Sequence, residues 1–188
     1  IGSPVDPQVL RAVAAPEPGD LDECLEHGLL VQGRQDLTFR HELARQAMAA
    51  ELAPWRRREV HRQVLRALEA RPANTQEPGR LAYHAEEAGE AMAVLRYAPL
   101  AAQRAVRLRA YREAAQHYER ALRFADDVAP ATRASLLMAH SEASYYTAQI
   151  EAALASSQAA IASWTGARNT RELGVARAVG ARHRKERW

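Results

Sequence analysis

Seven histidines, one cysteine and a large excess of arginine are the side chains with which this chain could do chemistry. No histidine stands four residues from another, the helical spacing that turns two imidazoles toward one metal ion. His84 and Glu86 lie two positions apart, and residues two apart on a helix do not face each other. Cys24, being alone, closes neither a structural zinc site nor an internal disulfide. Serine, histidine and aspartate all occur, but no Gly-x-Ser-x-Gly elbow presents a nucleophile. There is also no Gly-x-x-x-x-Gly-Lys-Ser/Thr loop to cradle a triphosphate. No catalytic residue and no metal ligand is therefore assigned, and the chain is read as binding rather than catalysing. Three groups could bind: Arg40 with His41, the run Arg56-Arg57-Arg58 with Arg62, and the tyrosines Tyr111, Tyr118 and Tyr145, with Tyr146 beside them.

The elements that would position the first two groups are legible. Asp6-Pro7 starts a helix to about Ala14, with Asp as cap and Pro where its missing N–H costs nothing. Pro16, Pro18 and Gly19 make a loop. Asp20-Leu21-Asp22-Glu23 reads as a capping box for a second helix to about His27, with Gly28 in the C′ place. Two short apolar segments, 29–32 and 36–40, flank Gly33-Arg34-Gln35 and predict a β-hairpin. Helices follow over 42–52 and from Pro54 to about Ala70.

This order, helix, helix, hairpin, helix, is a winged-helix pattern and defines a domain over residues 1–70. The helix before the wing carries Asp20, Asp22, Glu23 and Glu26, which phosphates would repel, so no DNA is expected to bind this segment directly. Arg56, Arg57, Arg58 and Arg62 do not share one helical face. A solvated face, or contact with another domain, fits them better than nucleic acid.

From residue 71 onward the apolar period is helical. Tyr111, Ala114/Ala115, Tyr118, Ala121/Leu122 and Ala125 form one stripe. Ala134, Leu137/Met138, Ser141, Tyr145 and Ala148 form another. Ile150, Ala153/Leu154, Ser157, Ala160/Ile161 and Trp164 form a third. The pattern begun at Tyr111 returns at Ile150, 39 residues on, against 34 for an ideal tetratricopeptide repeat. The extra length fits a loop at 126–131. The first helices of the pairs are expected at about 98–108 and 132–148. A third pair should open near Arg171 and be cut off by the C-terminus.

Two features depart from the ideal. Ala98, Ala101 and Ala102 stand where the repeat signature has Trp-Leu-Gly. Pro99 should bend the helix or start it afresh at Ala98-Pro99. Tyr111, Tyr118 and Tyr145 could line a concave groove, or fill the repeat core, which uses the same positions. The fold class is mainly α: a winged-helix-like unit with a short hairpin, then an α-α superhelix of tetratricopeptide-like repeats over 71–188.

Composition agrees. Hydrophobic residues make up 47% and aromatic ones 6%, and about a fifth of the chain is alanine. Such a composition suits helices that approach closely through small residues. Net charge is +3, and Lys185 is the only lysine. A lone thiol fits a reducing cytosol. No apolar run of membrane-spanning length and no signal-peptide pattern is present, so a cytoplasmic location without a membrane partner is expected. The start at Ile1, without Met, suggests an excised piece. Arg182-His183-Arg184-Lys185-Glu186-Arg187 resembles a frayed end.

Several runs now carry a family likeness. They are Val5-Asp6-Pro7, Leu21-Asp22-Glu23, Gly28-Leu29-Leu30, Phe39-Arg40-His41-Glu42-Leu43, Arg57-Arg58-Glu59-Val60-His61, Leu81-Ala82-Tyr83-His84-Ala85-Glu86-Glu87-Ala88-Gly89 and Ala114-Ala115-Gln116-His117-Tyr118-Glu119-Arg120-Ala121-Leu122. Over about residues 5–125 their order and spacing resemble the middle of the large ATP-binding regulators of the LuxR family, signal-transduction ATPases of the STAND class.

The resemblance implies a parent with a P-loop ATPase domain, a winged helix, helical-repeat sensors and a C-terminal helix-turn-helix. ATP or ADP would be the parent's cofactor, with none held by this segment. Partners would be the parent's ATPase domain and a small-molecule or protein effector. In that family a winged-helix histidine contacts the β-phosphate of ADP. His41 matches it, with Glu42 where Asp is usual and Arg40 interposed. A histidine beside a helix's positive end could donate to phosphate, or simply cap the helix. On this reading the segment relays effector binding without catalysis. The alternative is a free-standing helical-repeat scaffold for protein–protein contact.

Overall fold

The structure, a computed structural model, describes residues 5–17, 19–34, 36–166 and 177–182. It is mainly helical with one short antiparallel hairpin. The elements are α1 (Pro7–Ala14), α2 (Asp20–Glu26), β1 (Leu30–Gln32), β2 (Leu37–Phe39), α3 (Glu42–Glu51), α4 (Pro54–Glu69), a single 3₁₀ turn at Ala73–Thr75, α5 (Pro78–Ala88), α6 (Ala91–Arg107), α7 (Tyr111–Leu122), α8 (Pro130–Tyr145) and α9 (Ile150–Gly166). Two compact units result: residues 1–76 with 83–90, and residues 77–82 with 91–188. The sequence placed the division at 70/71. The second half of α5 instead joins the first unit, because His84 and its neighbours pack there.

In the first unit Asp6 caps α1, its Oδ1 accepting from the Gln8 N–H at 2.8 Å. The hairpin pairs Leu30 with Phe39, Val31 with Thr38 and Gln32 with Leu37. Val5 adds a bridge beside Leu37, exchanging backbone bonds of 2.8 and 2.9 Å. Helix α1 packs on α4, and the core holds Val5, Val9, Leu37, Val64, Leu65 and Leu68. Each such aliphatic side chain contributes about 1.5–3 kcal/mol on burial. Gly28 has φ of +66°, as a C′ residue closing a helix requires. The capping box at Asp20 does not form. Gly19 is the N-cap, without a side-chain cap bond, and Asp20 Oδ2 accepts instead from the Glu17 N–H in the preceding loop, at 2.9 Å.

In the second unit α6, α7, α8 and α9 each pack on the next. Small residues line the contacts: Ala98, Ala101, Ala102 and Ala105 on α6, Ala114, Ala115 and Ala121 on α7, Ser141 and Ser144 on α8, and Ala153, Ser157 and Ala160 on α9, all buried. Ser141 Oγ donates to the Ala153 carbonyl at 2.8 Å, pinning α8 to α9. Ala134, Leu137, Met138, Ala160 and Trp164 form a cluster, flanked by Leu122, Ile161 and Val179.

The helical repeat also shows in the turns. Arg109 and Ala148, 39 positions apart, both have φ of +59°. Each is followed by the same bond back to the helix, from Ala110 N to Ala105 O and from Gln149 N to Ser144 O. This is the left-handed closure usually left to glycine.

Of the two outcomes expected at Pro99, a bend or a fresh helix start, the fresh start does not occur. Helix α6 runs unbroken through it, from Ala91 to Arg107. Pro99 cannot donate to Leu95 and costs about 3 kcal/mol in a helix interior. The buried face made by Val94, Tyr97, Ala98, Ala101, Ala102 and Ala105 holds the helix together across it. The third repeat pair expected from Arg171 begins outside the described residues, as does the end at 183–187. Residues 177–182 are helical.

Candidate functional site

Helices α3, α4 and the second half of α5 enclose a cleft of about 360 Å³, all within the first unit. Its apolar wall is Ala49, Ala50, Leu52 and Val60, and its polar lining is Arg45, Gln46, Arg57, His61, Tyr83 and Glu87. Arg57 and His61 are four residues apart on α4 and so share a face.

Two buried histidines lie in this region. His61 and His84, each 3% exposed, meet Nδ1 to Nδ1 at 3.2 Å. Tyr83 packs edge-on to both rings, with centroids 5.6 Å from His61 and 5.1 Å from His84. Two like nitrogens can share a hydrogen bond only when one carries a proton and the other offers a lone pair. Burial above all, with nearby positive charge that includes Arg57, pushes the His61 pKa down to about 4, so the ring is neutral near pH 7.

The cations around the cleft are held unequally. Arg45 is bound to Glu42, its Nε donating to both carboxylate oxygens at 3.0 and 2.9 Å. Gln46 adds a bond to Glu42 at 3.1 Å. Arg45 and then Gln46 hold the Glu42 carboxyl below its usual range. Arg62, next along α4, is bound at 2.7 Å to both Glu59 and Glu90. Arg57, by contrast, reaches Glu87 only at 3.5 Å, and both side chains are partly exposed. Charge-assisted guanidinium–carboxylate bonds run near 2.7–2.9 Å, so this pair is slack.

The structure separates the residues singled out in the sequence. His41 is the N-cap of α3, exposed, with extended backbone and no side-chain cap bond. Arg40 is turned back onto the preceding turn, its Nε donating to the Gly28 carbonyl at 3.0 Å. Arg56, Arg57 and Arg58 are all exposed at the start of α4, and only Arg57 lines the cleft.

The tyrosines do not form one surface. Tyr118 is 7% exposed and sits in the α7 core stripe, so of the two alternatives read from the sequence it takes the repeat core and not the groove. Tyr111 stacks on Tyr146 at 4.5 Å, Tyr146 is edge-on to Tyr145 at 5.8 Å, and Arg182 lies 4.8 Å above the Tyr145 ring. Half-buried Tyr111 and Tyr145 therefore stay near the surface through Tyr146, which is 58% exposed.

Sequence reasoning missed the His61–His84 pair, though a signal was present. His61 continues the stripe of Val64, Leu65 and Leu68, and His84 sits among Leu81, Ala85 and Ala88. A histidine in an apolar stripe is a buried histidine in need of a partner. A second, partly buried contact was missed in the other unit, where His140 Nδ1 and Ser156 Oγ lie 2.8 Å apart.

Among the described residues no group of three metal-ligating side chains converges, and no helix is long and apolar enough to cross a membrane. No protein-family model, curated protein or solved structure matches the chain.

Proposed function

We propose that this chain is a non-catalytic regulatory segment of a larger ATP-binding transcriptional regulator of LuxR type. In that role effector or partner binding on the helical repeats biases a nucleotide-dependent switch elsewhere in the parent. One observation carries the reading: a helix–helix–hairpin–helix unit, with His41 exposed at the head of the helix after the hairpin, is followed in one chain by helices that pack in succession and close with the same turn. His41 stands beside a helix N-terminus, where a donor and the helix dipole both favour phosphate. The exposed arginines Arg56, Arg57 and Arg58 offer a surface for the ATPase domain. Tyr111, Tyr145 and Tyr146 offer one for the effector.

The test is on the parent protein. Its reading frame should encode a P-loop upstream and a helix-turn-helix downstream. His41→Ala in that parent should release bound ADP faster than the unsubstituted protein does. A frame that starts just before Ile1, or ADP retention indifferent to His41→Ala, overturns the reading.

A further inference from the structure

Of the cleft between α3, α4 and α5, only Arg57 at its rim enters that switch. The cleft combines three properties that a binding site needs. First, it is a concavity of about 360 Å³, within the range of small-molecule pockets though at its lower end. Second, one wall is apolar and left uncovered: Leu52, a large aliphatic side chain, is 42% exposed. Third, its cations differ in how firmly they are held. Arg45 is committed to Glu42 by a fork of short bonds. Arg57 has, among the described residues, one ion pair, the slack one to Glu87 at 3.5 Å.

A guanidinium presents five donors in a fixed fork that matches a carboxylate. Most of that capacity is unspent at Arg57. The charge count limits what it can take. Glu42 already neutralises Arg45, and Glu87 stands against Arg57, so there is one exchangeable cation and no second. A doubly charged phosphate would face Glu87 with its extra charge uncompensated. His61, on the polar side, is neutral and hydrogen-bonded to His84, so it adds polarity without charge.

We propose that this cleft binds a small organic monoanion, a carboxylate on a compact apolar body, with the carboxylate on Arg57 in place of Glu87 and the body against Ala49, Ala50, Leu52 and Val60. Arg57 is also one of the three arginines offered to the ATPase domain, but the cleft lies within one unit and is tested on this chain alone, so this proposal and the preceding one fail separately.

The experiment is a titration of the chain with phenylacetate, octanoate and indole-3-acetate, followed by calorimetry and by the ring resonances of His61 and Tyr83. Inorganic phosphate and 2-phenylethanol serve as controls. At least one carboxylate should saturate with Kd of about 1 mM or tighter and shift those resonances. Arg57→Gln should weaken it about tenfold, the loss of one charge-assisted contact. Glu87→Gln should tighten it by removing the competitor. Thermal unfolding without probe shows that both variants still fold, and Glu87→Gln keeps the test decisive if Arg57→Gln does not.

Four results would each overturn the proposal: no saturation by any of the carboxylates, equal binding of 2-phenylethanol, binding of phosphate as tight as that of the carboxylates, or affinity unmoved by both substitutions.

Discussion

Arg71 donates to Asp6 Oδ2 at 2.8 Å, while the other oxygen of the same carboxylate accepts from the Gln8 N–H at 2.8 Å. One side chain thus caps α1 and ties it to the residue just past α4, 65 positions on. The pair is partly buried, so its attraction is less screened than that of a surface pair.

Asp6→Ala should cost about 1–2 kcal/mol, chiefly through the lost cap. Asp6→Asn, which keeps a capping oxygen and loses only the charge, should cost less than about 1 kcal/mol. Urea unfolding of the two variants checks this. Equal costs would mean that the ion pair, not the cap, carries the effect.

Acid should weaken the fold through its buried imidazoles. The His61 pKa is about 4 in the folded chain against an ordinary value of 6.5. Between those values the unfolded chain binds a proton that the folded one refuses. Stability is therefore full above pH 6.5 and falls as pH drops toward 4, by at most about 3 kcal/mol from this ring. Burial lowers His117 and His140 as well, so they act in the same direction. Denaturation midpoints should fall between about pH 7.5 and about pH 5. His61→Leu with His84→Leu should flatten part of that slope. A midpoint indifferent to pH would contradict a neutral His61.

Pro99→Ala should stabilise the chain. It restores a donor for Leu95 and removes the ring from the interior of α6. A gain of about 1–3 kcal/mol is expected, seen as a higher Tm, reduced by the freedom that alanine returns to the unfolded chain. A lower Tm would show that α6 needs the ring where it stands.

Trp164→Ala should cost about 3–5 kcal/mol, the range for truncating a large buried aromatic. Its partners Ala134, Leu137, Met138 and Ala160 lie on α8 and α9. Ser141→Ala should cost about 1–3 kcal/mol by leaving the Ala153 carbonyl buried without its partner. Guanidinium unfolding ranks the two, and a near-neutral Trp164→Ala would mean that the cluster is not a core.

The helices were largely legible because periodicity reports burial. The stripes begun at Tyr111 and Ile150 follow the buried faces of α7 and α9, and the one begun at Ala134 follows that of α8 through Ser141, beyond which Tyr145 is half-buried and Ala148 exposed past the helix end. Asp6-Pro7 and Gly28 mark helix ends by backbone chemistry alone, and both stand where expected. What failed was competition between local and tertiary terms. Asp20 had two possible backbone partners and took the loop's, and the fresh helix start at Pro99 was outweighed by a packed face that no short window contains. The cleft was illegible for a plainer reason. It brings Arg45 to Tyr83 and Glu87, and residues that far apart meet through the chain's path rather than through any spacing in its sequence.

The paired imidazoles have a consequence for the cleft wall. Between them His61 and His84 hold two protons when neutral, and only one fits in the 3.2 Å gap. Whichever ring donates there leaves its own Nε2 bare, and the other must carry its proton on Nε2. Exchanging the two roles changes no net charge. His61 can thus present a lone pair in one arrangement and an N–H in the other. The shared proton thus gives this buried pair a directionality that its heavy atoms do not have.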